Sequence, residues 1–402
     1  MNNALQKFLL GCAISAASLL TACGGGGSGS SDISTPVPPQ GTMHVSLTDA
    51  PACGFDAVNI TVSKVRVHQS ASANENDAGW SDITLNPPRK INLLNLVNGT
   101  LEDLGQTPLP TGHYTQLRLV LVANSTATPL ANSVVVTGGV ETAIDTPSAV
   151  QSGIKLTNEF DVAANTLVDF TLDFDACKSI VTRGNGSFSL KPVIRIVPMV
   201  VSGGITGYIN PSLSASKPAV TAQLNGVIVK STVPDPVTGA FTLGPIVQST
   251  TTSTYTVVIT ADGRATYVVS GVPVTAKANT VLSTSASPIN LAVSTMSTVS
   301  GTILPLAAQG TARATQSFAA GPTVTIKYQS ADLITAVYSL SLPTAAPMLG
   351  VYGTGTLPIV ATAQTALAGK YTAEATATGY VTQSAAVDIT IANVVKNFVL
   401  VQ

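Results

Sequence analysis

Charge is what this 402-residue chain has least of: Asp, Glu, Lys and Arg together make up 10% of it, where a soluble globular protein carries about 25%. Long amphipathic helices and coiled coils, whose outer faces are built from charge, are excluded by that shortage. With 19 basic and 20 acidic residues and a net charge of −1, there is no basic stripe to neutralise phosphates, which argues against nucleic acid as a partner. Three His and four Cys leave triad or zinc chemistry little to draw on. The chain has no H-E-x-x-H, G-x-S-x-G or C-x-x-C and no phosphate-cradling glycine loop, so the expectation is that it is not an enzyme. No apolar run reaches the roughly 20 residues of a membrane-spanning helix. What is present is 45% hydrophobic residues, 33 Gly, 24 Pro and Thr, Ser and Asn in every stretch. Normal apolar content with almost no net charge speaks against disorder, and this polar complement belongs to strands and turns. The length calls for two or three domains.

At the amino end Lys7 precedes the apolar run Phe8–Leu20, too short to span a bilayer and suited to a secretory signal. The run ends in Leu20-Thr21-Ala22-Cys23, which resembles the lipobox of bacterial lipoproteins; the alternative is a plain signal peptide that happens to contain a Cys. The resemblance implies that residues 1–22 are removed and that Cys23 carries acyl chains. At about 0.8 kcal/mol per buried methylene, two or more chains make a stable anchor. Gly24, where a retained lipoprotein would have Asp, implies a Gram-negative outer-membrane address. Residues 23–40, Gly/Ser-rich and then Pro-rich, read as a tether. With Cys12 in the signal and Cys23 lipidated, Cys53 and Cys177 remain, and a disulfide is expected between them. A loop of that size corresponds to at most about 5 kcal/mol. Two buried thiols, or a metal site that lacks enough Cys and His partners, are the alternatives.

Charge divides the chain near residue 199, beyond which only 13 charged residues occur. Before it, Met43, Val45 and Leu47 alternate with His44, Ser46 and Thr48, the period of a half-buried strand. Val58, Ile60 and Val62 share one parity and Val65 and Val67 the other, which predicts a bulge near Ser63-Lys64. Further strands are expected over 117–122, 133–136, 154–160, 167–174 and 187–197; the stretch 91–104 reads either way, as strand or with a helical turn. In the 167–174 strand Val168, Phe170, Leu172 and Phe174 face one way and Asp169, Asp173 and Asp175 the other. The expected fold is all-β: an antiparallel β-sandwich over 41–199, then two smaller sandwich units over 200–298 and 299–402.

Gly41–Pro51, Trp80, Ile91–Asn95, Leu109–Leu119, Leu172–Cys177 and Leu190–Ile194 occur in an order that resembles the bacterial domain of unknown function 4382 over about residues 41–198. The resemblance implies no activity and no site residue. Downstream, Gly207–Pro211 parallels Gly301–Pro305, and Tyr255–Gly263 parallels Tyr371–Gly379, a repeat with unequal loops. Both copies resemble the carboxypeptidase-regulatory, transthyretin-like sandwich. Thr238–Leu243 resembles that family's Gly-x-Phe hairpin, for which the second copy shows no clear equivalent.

Asp49 lies shortly before Cys53, and Asp173 and Asp175 shortly before Cys177, so the expected disulfide draws three carboxylates to one rim. Such a rim could bind calcium through oxygen ligands; the ordinary alternative is an Asx turn at Asp49 and solvated Asp173 and Asp175. No other cofactor is expected. His44, His68 and His113 read as solvated or turn-bonded, and Trp80 as packing rather than a sugar platform. The leading functional expectation is a non-enzymatic envelope lipoprotein at the outer membrane, bound to the membrane by its acyl chains and to an envelope protein or polysaccharide ligand. The alternative is a polysaccharide-processing enzyme or its accessory subunit, using a pair among Asp49, Asp56, Asp169, Asp173 and Asp175. A transmembrane barrel is disfavoured by the terminus Asn397–Gln402, which lacks a final aromatic residue.

Overall fold

The computed structural model describes residues 39–50, 54–146, 152–156, 158–250, 253–319, 321–353, 355 and 357–402. The signal, the lipobox with Cys23, most of the tether and Cys53 lie outside the described residues. From Pro39 to Gln402 the chain forms one compact body, its regular structure nearly all strand, organised around three hydrophobic clusters.

The first cluster fills a sandwich. One sheet has the order 194–198, 167–175, 40–50, 102–110; the other is built on the long strand Phe55–His68, which pairs with Ser81–Asn92, Gln116–Leu121 and Ser133–Val136. Met43, Val45 and Leu47 are fully buried, and so are Val58, Ile60, Val62, Val65 and Val67. That second set keeps one face inward across the change of parity because the register shifts between Val62 and Lys64, the bulge that the alternation predicts. The helical turn in 91–104 is a short 3-10 helix over Leu93–Leu96, capped by the Asn92 side chain.

Three details differ from expectation. The sandwich is not wholly antiparallel: strand Gln40–Ala50 runs parallel to Leu167–Asp175. A parallel pair needs a long crossover, and here more than a hundred residues, most of the opposite sheet, supply it. The 187–197 run is two strands, Phe188–Leu190 and Ile194–Pro198, divided around Pro192, which has no N–H for a ladder. Ile154–Phe160 likewise divides into the ends of Ile154–Leu156 and Phe160–Val162.

The two downstream units have the same strand order. In the middle unit a sheet 240–247, 202–208, 279–281 faces 227–232, 219–224, 255–260, 267–272. In the last unit 337–343, 296–304, 394–395 faces 323–330, 311–317, 370–376, 383–388. Gly207 and Gly301 lie on the central strand of the first sheet in each. Tyr255 is the first residue and Tyr371 the second of the corresponding strand, and each donates its hydroxyl to the end of the same neighbour, Val247 O at 2.7 Å and Pro343 O at 2.6 Å. The hairpin also recurs. Asp235 accepts from the backbone of Val237 and Thr238, and Asp332 from that of Ile334 and Thr335. Gly239 at φ +72° is matched by Ala336 at φ +61°. Ala in place of Gly hides this equivalence in the sequence.

The two units are also interleaved. Strands Met348–Val351 and Ala361–Ala363, which come from the last unit, extend the middle unit's sheet, the first of them parallel to Tyr267–Val272. Ile359 joins the middle core, and its carbonyl accepts the Tyr267 hydroxyl.

Candidate functional site

The three expected carboxylates do come to one rim. The parallel register sets Thr48 beside Asp173, Asp49 beside Phe174 and Ala50 beside Asp175, so the ends of both strands present their acids together. The two alternations then separate them. Asp49 follows Met43, Val45 and Leu47 inward and is 0% exposed. Its Oδ1 accepts from the Ala176 N–H at 2.9 Å, while Oδ2 has no described partner. Burial pushes its carboxyl well above the usual carboxylate range.

Asp173 faces outward, yet it is buried too, because the middle unit's strand Val227–Thr232 covers that face. Lys230 of this strand, 2% exposed, places Nζ 2.5 Å from Asp173 Oδ1 and donates to Asp49 O at 3.2 Å. Burial raises the Asp173 carboxyl, and the Lys230 charge opposes the rise. Asp175 caps the short helix Ala176–Ser179 by accepting from Lys178 N at 3.0 Å and also pairs with Lys178 Nζ at 2.7 Å. From the last unit the Tyr328 hydroxyl reaches Asp175 Oδ1 at 3.4 Å, and Lys178 Nζ lies 4.5 Å from the Tyr328 ring centre. Burial, with Asp175 alongside, pushes the Tyr328 hydroxyl well above its ordinary range. All three units therefore meet at this rim.

The positive charge that calcium would bring is supplied there by Lys230. Among the described residues no group of three or more His, Cys, Asp or Glu could hold a metal ion. The ordinary alternative fails as well for Asp173, which is sealed rather than solvated. Cys177 lies in the short helix Ala176–Ser179 that Asp175 caps.

Further polar contacts surround the rim. Asn98 accepts from Thr232 Oγ1 at 2.7 Å and from Thr242 N at 3.2 Å, and Arg195 donates to Ile228 O. Gln223 and Thr325 exchange two buried hydrogen bonds of 2.7 and 2.8 Å between the middle and last units. Asn98, Gln223, Lys230 and Tyr328 are not among the residues expected at this rim. The one available signal was Lys230, a charge amid the apolar alternation of an almost uncharged stretch.

Beside the rim the three units border a cleft of roughly 620 Å³, with Phe55, Ile228, Val233, Pro236, Ile326 and Tyr328 among its walls. Of the five carboxylates considered for acid and base work only Asp56 lines it, and Asp56 accepts from Gly138 N at 3.1 Å. Asp169 instead holds His44 Nδ1 at 2.8 Å, while Asp103 lies 3.1 Å from Nε2. The hydrogen bond to Asp169 leads in raising the His44 pKa. Asp161 raises that of exposed His113 in the same way. His68 accepts from Ser70 N and its ring lies 5.1 Å from that of Trp80. Trp80 is half-buried, with the Arg66 and Arg118 guanidinium carbons 4.4 and 4.6 Å from its ring centre. Its ring packs on cations that are themselves tied down.

Residues 40–192 match the family model described as "Domain of unknown function (DUF4382)". No curated protein matches the chain. Among solved structures, two B repeat units of the collagen binding protein of Staphylococcus aureus align over 90% of this chain and 98% of that one, at 11% identity and a TM-score of 0.19. The major pilin subunit BcpA of Bacillus cereus aligns over 90% and 99%, at 10% identity and a TM-score of 0.13. TM-scores this low do not superpose the architectures, and neither alignment bears on function.

Proposed function

We propose that this chain is a cell-envelope lipoprotein, held at the outer membrane through acyl chains on Cys23, whose three β units act together as a non-enzymatic binding, adhesion or structural module. The observation that carries the non-enzymatic part is the state of the carboxylates. Asp173 is neutralised by a buried lysine, Asp49 points into the core, Asp169 holds a histidine and Asp175 caps a helix. Of the five candidates only Asp56 borders the cleft, so no pair among them faces it, as a polysaccharide-cleaving enzyme built on them would need. The envelope part rests on the lipobox and the Gly/Ser/Pro tether, which together describe an anchored body standing off a lipid surface. A Cys53–Cys177 disulfide belongs to the same reading, since an oxidising compartment permits it.

The test is membrane fractionation combined with a surface-restricted label on whole cells, comparing the native chain with Cys23→Ala. A membrane-bound, labelled native chain and a Cys23→Ala chain lost from the membrane fraction are the expected results. Membrane association that survives Cys23→Ala would overturn the anchor.

A further inference from the structure

The contact between Lys230 and Asp173 differs in kind from the other lysine–carboxylate pairs of the molecule. Lys64–Asp82 and Lys90–Glu141 leave a quarter or more of each side chain exposed, and Lys178–Asp175 leaves 24% and 14%. Lys230 and Asp173 are 1% and 7% exposed, with Nζ at 2.5 Å. A fully desolvated ion pair rarely repays the cost of dehydrating both charges, and inside a dry contact a proton passed from ammonium to carboxylate removes both charges at once. What then remains is a primary amine pressed against a carboxylic acid, the reactants of an amide. The Asp49 carbonyl, accepting from Nζ at 3.2 Å, fixes the direction of the amine. Next to the pair lies a void of about 10 Å³ bordered by Asp173, Asp175, Arg195 and Lys230, the room that one water molecule needs.

We propose that Lys230 and Asp173 condense into an intramolecular amide that joins the first unit covalently to the middle one. The Nζ lone pair attacks Asp173 Cγ and forms the N–C bond. One carboxyl oxygen then leaves with two protons as water, so that the ammonium and carboxylate of the ion pair become one amide and one water, with no oxidant, reductant or activating group consumed. The product replaces two buried charges with a neutral group whose N–H can still bond to the Asp49 carbonyl. It goes beyond the envelope reading and stands whether or not Cys23 is acylated.

Mass spectrometry of the purified full chain and of its tryptic peptides tests this directly. The expected result is a branched peptide that joins the Asp173 segment to the Lys230 segment, lighter by the mass of one water, with no cleavage after Lys230 and ordinary cleavage after Lys178. Lys230→Arg, which keeps the charge but cannot form the link, is expected to yield the two segments separately. Separate, full-mass peptides from the folded native chain, or a branch that ends at Asp175, would overturn the assignment. Should Lys230→Arg fail to fold, the native peptides alone decide.

Discussion

The middle and last units are two copies of one pattern, and they differ most at a lysine. In the middle unit a register shift after Ala222 sets Ala222 opposite Lys230; in the last unit a shift after Ala314 sets Ala314 opposite Lys327. Ala222 and Ala314 are both fully buried. Strand order, bulge and residue type are shared, yet Lys230 is sealed against Asp173 and Lys327 is exposed at the cleft. Local structure decides that a lysine stands at this point of the strand. Which surface packs over it decides whether its charge is solvated or becomes the joint between units.

The comparison can be broken at that lysine. Lys230→Ala removes one partner of a buried pair and is expected to cost on the order of 3–5 kcal/mol; Lys327→Ala, at an exposed position, is expected to change stability by less than about 0.5 kcal/mol. Denaturant unfolding of the two variants beside the native chain reads both values.

A smaller difference lies in the recurring hairpin. At Gly239 a β-carbon would stand 1.8 Å from Ile209 O, so Gly239→Ala is expected to destabilise by more than about 1 kcal/mol. Ala336 holds the equivalent left-handed position at φ +61°, where an L-residue carries strain that Gly does not. Ala336→Gly is expected to be neutral or to stabilise by up to about 1 kcal/mol, a shift of opposite sign that thermal unfolding would register.

The smallest contrast concerns the two tyrosines. Tyr371 donates to a fully buried contact and Tyr255 to a part-buried one. Tyr371→Phe is therefore expected to cost about 1–2 kcal/mol and Tyr255→Phe less, because water can reach the Val247 carbonyl in the variant. Equal losses would mean that the two sites are equally dry.

Much of this was legible in the sequence because it is local. The parity change between Val62 and Val65 announced a bulge, the alternation of Met43, Val45 and Leu47 announced an inward face, and Tyr255 and Tyr371 marked matching strands. Proximity of Asp49, Asp173 and Asp175 was also legible. Their states were not, since those depend on partners far along the chain: Lys230 reaches Asp173 across a unit boundary, and Tyr328 reaches Asp175 from farther still. The excursion through 348–363 into the middle sheet is hidden for the same reason, because a short apolar strand carries no mark of the sheet that it joins. The second hairpin escaped notice through one residue, Ala336, where the pattern led one to look for Gly.

Calorimetric unfolding of the full chain, native and Lys230→Ala, tests the central claim most directly: that the buried Lys230–Asp173 contact makes the first and middle units one folding body. The account expects a single transition for the native chain, and in Lys230→Ala an earlier melting of the first unit, resolved from the other two. Resolved transitions already in the native chain, or a Lys230→Ala profile that superposes on the native one, would contradict it.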